Sequence, residues 1–456
     1  MRAALWLWVT AQGEWATIDA DGAEQHGSGA LACLQATYVE PRDVFLADGA
    51  QLVTLLASLP AKGRPDTTLI RERDGYTADC AGFAYTHGAR YWLGAMSFPD
   101  PVADYCRAAR WPVPKGEPVD AVRAWRDAHL AQVALTERVT GVKPGHSLSG
   151  TAVKAALPRD WRKGADFFGP SVAQADIRSA CYGGRIECFQ PGWRGEAVEF
   201  DLTSAYGWAL CQPLPDWQVY QRRAYAGEAE WLDVTVDVTG PVGPMPERKK
   251  NDTRSLHWPT DTRLRGWYTA VDLDKLGCRV VKVHSRYAGR MSLDLRPSVE
   301  RWLELRASST DYAERATIRA LAVGMAGKLW QRPQSWALWH IDEGPAPSGS
   351  TRLGQTNWLT YPVKPQNAPL SLPTSASYVT ALVRARVWPW IADGRALYTH
   401  TDSVHLAYDD VMRGFGPDTG SAPGDWSVKA SGEACYKGVN DYRIGKKVVS
   451  PYLTRR

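Results

Sequence analysis

Residues 395–408 read RALYTHTDSVHLAY, and the reading of this stretch decides the fold. On either side of THTD, apolar and polar residues alternate with the period of a half-buried strand. Two such runs around a short polar tip predict a β-hairpin, with Asp402 at or near its turn. Thr-Asp-Ser is also a common turn sequence, so Asp402 alone implies no function.

Upstream, VEFDLTSAYGWAL (198–210) puts Asp201 at the end of a short apolar strand, followed by a turn and a helix. A carboxylate there can aim an oxygen into a cleft, and the carbonyl of Leu202 offers a second ligand. Hard cations such as Mg²⁺ take one or two carboxylates, water and substrate phosphates. A hairpin that brings Asp402 opposite Asp201 would let the pair clamp two ions for an in-line phosphoryl displacement. Between the aspartates, RPSVERWLELRAS (296–308) and DYAERATIRALAVGMAGKLW (311–330) have helical spacing and carry Arg306, Arg315 and Arg319. Arg315 and Arg319 share one helix face, where two guanidinium forks can hold a triphosphate. Gly327 and Lys328 add a close backbone approach and a further cation.

In this order the segments resemble family B DNA polymerases, most closely the protein-primed branch found in phages and linear plasmids. CYGGRIECFQPG (181–192) is similar to the Tyr-x-Gly-Gly element between exonuclease and polymerase domains, with Cys181 at the tyrosine and Gly183 and Gly184 at the glycines. FDLTSAYG (200–207) resembles Asp-x-x-Ser-Leu-Tyr-Pro. The basic helix with AVGMAGK resembles the fingers motif Lys-x-x-x-Asn-Ser-x-Tyr-Gly-Lys, with Arg319, Val323 and Ala326 at its lysine, asparagine and tyrosine. YTHTDS (398–403) resembles Tyr-x-Asp-Thr-Asp-Ser, and YKGVNDY (436–442) the Lys-x-Tyr element, with Asn440 at the lysine. The resemblance covers roughly residues 171–445.

It implies an α+β multi-domain protein. A ribonuclease H-like, exonuclease-like α/β domain would occupy 1–170 and the polymerase domain 171–456. The latter would comprise a palm of antiparallel sheet with helices (181–211 and 376–425), insertions at 212–295 and 331–375, short helical fingers (296–330) and a reduced thumb (426–456). Asp201, the Leu202 carbonyl and Asp402 would hold two Mg²⁺ or Mn²⁺ ions. His400 stands where the family has the first aspartate of the hairpin motif, and an imidazole there suits Mn²⁺ better than Mg²⁺. Leu202, Ser204, Tyr206, Arg315, Arg319 and Lys328 would bind the nucleotide, Tyr206 flooring the sugar pocket against a 2′-hydroxyl. Gly183, Gly184, Gly327 and Tyr442 would touch template or primer. Ala326 in place of the fingers tyrosine opens the nascent base-pair pocket and implies lower fidelity. The partners implied are template and primer DNA, dNTPs, and a terminal protein or processivity factor. Two other readings stay open: untemplated or primer-independent nucleotide addition, and an inactive pseudo-polymerase, to which His400, Val323, Ala326 and Asn440 point.

The rest of the chain sets the limits. Its 456 residues exceed what a single core usually organises. With 44% hydrophobic and 23% charged residues and no long uncharged apolar run, it reads as soluble, without a membrane span. MRAALWLWVT runs straight into AQGEWATIDAD without a cleavage region, so it reads as a buried strand rather than a signal. Eight cysteines without a C-x-x-C pair or zinc-type histidine spacing suit reduced thiols in a cytosol, which the resemblance implies is that of a bacterial or phage-infected cell. A net charge of +5 permits an acidic polymer without demanding one.

Residues 1 to about 110 alternate strand-like and helical runs (LWLWV, VFLA before QLVTLLASL, TTLIRER, RYWLGAM), which predicts an α/β layer. AVRAWRDAHLAQVALTERV predicts a helix ending at Gly141. The opening strand lacks the Asp-x-Glu pair of a proofreading exonuclease. Asp48 and Asp127 are the worn candidates for its other motifs, too few carboxylates for a two-metal site. GPVGPMPERKKNDT (240–253) reads as a loop, and IDEGPAPSGSTRLGQT (341–356) as a hairpin tip or insertion.

Overall fold

The computed structural model describes residues 3–29, strand segments between 42 and 97, 117–157, 172–330 and 334–450, apart from short stretches inside these ranges. The chain folds as two units, Met1–Ala155 with Glu304–Met325 and Pro333–Ala368, and Ala156–Leu303 with Ala326–Arg332 and Pro369–Arg456. Among the described residues no helix is long and apolar enough to cross a membrane.

In the first unit the strand Ala3–Val9 lies between Glu14–Asp19, antiparallel, and Arg42–Leu46, parallel, which in turn pairs in parallel with Met96–Ser97. Leu5, Trp6, Leu7 and Trp8 are all buried, as a strand covered on both faces requires. The helix Pro118–Thr140 packs on this sheet, with Ala121 and Val122 against Trp6, Trp8, Ala16 and Ile18. Pro118 opens the helix and Gly141 closes it at φ 70, its N–H returning to the Glu137 carbonyl at 2.7 Å. Asp127 pairs with Arg126 and its side chain is 65% exposed, so it faces solvent. Asp48 lies outside the described residues.

Residues 304–325 join this unit through side chains. Gln132 donates to Thr317 at 2.7 Å, Arg138 pairs with Glu314 at 2.9 Å, and Gly324 lies against Ser149. The grouping therefore differs from a single cut at residue 170. Gln334–His340 and Trp358–Gln366 pair antiparallel on either side of the stretch read as a hairpin tip.

The second unit carries a seven-stranded sheet in the order Ile186–Cys188, Tyr398–His400, Ser403–Ala407, Arg194–Leu202, Trp426–Gly438, Asp441–Ile444, Lys447–Val449. Every neighbouring pair is antiparallel. Tyr398, Tyr436 and Tyr442 bury themselves with Ala197, Leu397, Ala434 and Ile444 in one core cluster. A second antiparallel sheet, Val219–Gln221, Arg279–Gly289, Ala229–Val238 and Thr262–Thr269, buries Val234, Val236 and Val238 at alternate positions. Part of the segment read as a loop is structured: Glu247–Lys249 pairs with Asp252–His257. The helix Pro373–Val387 packs against the helices Ala205–Leu210 and Ala270–Lys275, and its Arg384 forms a buried ion pair with Asp272.

Candidate active site

Asp201 and Ser403 are cross-strand partners, and the Leu202 N–H donates to the Asp402 carbonyl at 2.9 Å. Antiparallel pairing thus sets the two aspartates side by side where their strands end. Burial, then the neighbouring Asp402 charge, push the Asp201 carboxyl up to about 6, while Lys429 opposes the rise from 3.6 Å. The turn after Asp201 is pinned, since Thr203 N–H donates to the Asp425 carbonyl at 2.8 Å and Ser427 Oγ to the Asp201 carbonyl at 3.2 Å.

The hairpin tip is tighter than a two-residue turn needs. Asp402 N–H donates to the His400 carbonyl at 2.7 Å across Thr401, whose φ is 59. That is a γ-turn of the rare, strained hand. A non-glycine residue there costs about 1–3 kcal/mol and persists only where its surroundings over-determine it. Those surroundings are visible. Thr401 N–H donates to the Arg185 carbonyl at 2.7 Å, and Thr401 Oγ1 donates to Asp402 Oδ1 at 2.7 Å. A Cβ on Gly184 would lie 2.7 Å from the Thr401 Cα, so only glycine fits beneath the tip.

Tyr206 stands on the helix Ala205–Leu210, which starts from Ser204 in the left-handed region at φ 52. Burial, then the Asp402 charge, raise the Tyr206 phenol, with Arg384 opposing, so its hydroxyl shares the surroundings of Asp402. The Leu202 side chain is buried in the core. His400 pairs with Ser403 on one side and Ile186 on the other, so the Ser403 strand lies between its strand and that of Asp201. The Gly183 carbonyl accepts from Arg384 at 3.2 Å. One unit therefore holds Asp201, Leu202, Ser204, Tyr206, His400, Asp402, Gly183 and Gly184.

Arg315 and Arg319 belong to the first unit, both exposed on one face of the helix Tyr312–Leu329. Their charges, after burial, lower the pKa of Arg306, so three guanidinium groups cluster there. Gly327 has open space around its Cα, and Lys328 is half-buried in the last turn.

Tyr442 does not suit the contact with DNA read from its motif. It is 5% exposed, with its ring 4.8 Å from Tyr398 and 5.1 Å from His405, inside the core. The alternation of the strand Asp441–Ile444 holds it there, on the same face as Ile444. Lys429, Arg185 and Arg384 were not singled out in the sequence. Arg185 lies inside the Gly-Gly segment without a role of its own there, and no motif marks Lys429 or Arg384; Lys429 falls at an irregularity in the pairing of Arg194–Leu202 with Trp426–Gly438, which only the folded sheet shows.

Among the described residues, no three His, Cys, Asp or Glu side chains gather as a metal site. The donors present are two carboxylates and a carbonyl, a set that fits a hard cation completed by water and phosphate.

No protein-family model and no curated protein sequence matches the chain. Solved structures do, and what they share with the chain is the fold. Phi29 DNA polymerase, in ternary complex with primer-template DNA and incoming nucleotide, aligns with a TM-score of 0.68 and 14% identity over 99% of this chain and 90% of that one. The same polymerase complexed with single-stranded DNA gives 0.65 and 13%, with the same coverage. At these identities the likeness is one of fold.

Proposed function

We propose that the chain is a template-directed DNA polymerase, adding dNTPs to a 3′ or protein hydroxyl in phage or plasmid replication. The observation that carries this reading is the pairing of Asp201 with the Asp402 hairpin, with Tyr206 in the surroundings of Asp402. Mg²⁺ or Mn²⁺, two ions held by Asp201, Asp402 and the Leu202 carbonyl, would acidify the attacking hydroxyl and neutralise the leaving pyrophosphate. The new bond joins the hydroxyl oxygen to the α-phosphorus, the bond to pyrophosphate breaks, and the hydroxyl proton passes to water.

Ser204, Arg315, Arg319 and Lys328 would hold the triphosphate by charge-assisted hydrogen bonds. Tyr206 would lie under the sugar, so Tyr206→Val should raise ribonucleotide incorporation about tenfold or more, read as the ratio of rNTP to dNTP efficiency. Gly183, Gly184 and Gly327 would lie along template or primer, and the N-terminal region would lack proofreading. A terminal protein or processivity factor would complete the grip on DNA.

The test is extension of a labelled primer on a DNA template, with Mg²⁺ and then Mn²⁺, beside the Asp402→Ala variant. Templated extension that vanishes in the variant supports the reading. DNA binding without extension under either metal overturns it in favour of a pseudo-polymerase, to which His400 in a carboxylate's place points. Products formed from dNTPs without template would favour untemplated addition.

A further inference from the structure

Arg185 is 4% exposed and connects two parts of the second unit. Its guanidinium runs into the insertion. Nη1 donates to the Gly243 carbonyl at 2.7 Å, and the group lies 4.8 Å from the Trp258 ring centre on one side and 5.0 Å from that of Phe189 on the other. Glu187 accepts from Nε at 2.7 Å and supports the charge that burial opposes. Gly243 in turn packs closely on the Trp258–Pro259 backbone, since a Cβ there would lie 2.1 Å from the Pro259 carbonyl oxygen.

The backbone of the same residue faces the opposite way. Its carbonyl takes the Thr401 N–H at 2.7 Å, and the residue before it, Gly184, is wedged under the Thr401 Cα. The strained tip that presents Asp402 is therefore held by a segment whose own place is fixed from the insertion.

We propose that Arg185 is a positioning residue, through which the insertion around Gly243 and Trp258 sets the place of Thr401 and Asp402 and so the affinity of the hairpin for a divalent cation. The inference rests on the polymerase reading only in taking Asp402 as a metal ligand. Groups that orient metal ligands from outside the coordination sphere change metal affinity about 10–100-fold when altered.

The test is Mn²⁺ binding by the full chain, followed as the loss of the free-ion EPR signal, with Asp402→Ala defining the specific part. Arg185→Lys keeps the charge and loses the planar fork. It should weaken Asp402-dependent binding about tenfold, and Trp258→Leu should weaken it less. Arg248→Lys is the control for general loosening. Arg248 also ties the insertion to this segment, through the Ser179 and Cys181 carbonyls at 2.5 Å each, ahead of Gly184 in the chain. It should lower the melting temperature and leave the Mn²⁺ affinity unchanged.

Equal affinity in Arg185→Lys and the unaltered chain overturns the proposal, as does an equal loss in Arg248→Lys. Absence of Asp402-dependent binding in the unaltered chain overturns it together with the metal assignment. Binding without primer extension would remove the polymerase reading alone, and the comparison of variants would still decide the role of Arg185.

Discussion

Two hairpins of one sheet turn on a non-glycine residue in the left-handed region, Thr401 at φ 59 and Asn440 at φ 58. Asparagine tolerates that conformation, and the Asn440 N–H donates to the Tyr398 hydroxyl at 3.1 Å. Threonine, branched at Cβ, does not, and Thr401 is held in place by Gly184 and the Arg185 carbonyl. The turn beside Asp402 is strained and braced; the turn beside Asp441 has an ordinary turn residue and leads into a strand whose Tyr442 lies in the core. A strained conformation that its neighbours enforce is the better pointer to chemistry than a matching spacing of residue types.

The sharpest test of that contrast is a matched pair of charge removals. Asp402→Asn keeps the shape and removes a ligand charge, and primer extension should fall by about three orders of magnitude or more. Asp441→Asn makes the same change beside the other turn and should leave extension within about twofold. Comparable losses in both would break the comparison.

A pair of glycines gives the next largest effect. Gly184→Ala forces a methyl against the Thr401 backbone, at 2.7 Å from its Cα, so one segment must shift. Overpacking of this kind costs about 1–3 kcal/mol. The melting temperature should fall, and extension should drop about tenfold as the tip moves. Gly438→Ala meets nothing within 4 Å, and both quantities should hold.

What the sequence made legible was local. The alternation around THTD predicts the observed pairing of Tyr398–His400 with Ser403–Ala407, because period-two burial is written into neighbouring residues. The stop at Gly141 is equally local, a left-handed cap that glycine adopts freely. What escaped depends on distant partners. The bond of Gln132 to Thr317 spans 185 residues and draws part of the expected fingers region into the first unit. Arg185 gains its contacts to Gly243 and Trp258 only across 58 residues or more of chain, which no local pattern shows. The buried place of Tyr442 is likewise invisible to its motif, because a spacing match carries no information about which face of a strand is covered.

The two hairpins meet at His405, which gives a pH-dependent test. The ring is fully buried, shares a 2.9 Å hydrogen bond with the Tyr436 hydroxyl, and packs on Tyr398 and Tyr442. Burial, then the Lys447 and His400 charges, hold its pKa at about 3, below the ordinary histidine value of 6.5. Between those values the unfolded chain binds more protons than the folded one, so stability rises with pH. The contribution is complete above 6.5 and is lost as pH falls through the folded value. Urea denaturation should show a slope up to about 1.4 kcal/mol per pH unit across that window from this residue. His405→Gln should flatten it. An unchanged slope would mean that the shared core does not keep this ring neutral.

The smallest effect belongs to the turn residue itself. Asn440→Ala puts a residue without a local hydrogen-bonding side chain into the left-handed region, at about 1 kcal/mol. Asn440→Gly adopts the same φ freely and should lie within a few tenths of a kcal/mol of the unaltered chain. Neither should move the rate of primer extension, because the tip carrying Asn440 presents no group assigned to the reaction. If Asn440→Ala and Asn440→Gly lowered stability equally, the 3.5 Å contact from the Tyr398 hydroxyl to the amide oxygen, rather than backbone tolerance, would be what asparagine supplies. If either slowed extension while the fold held, the second hairpin would belong to the working surface after all, and strain at Thr401 would cease to separate the two.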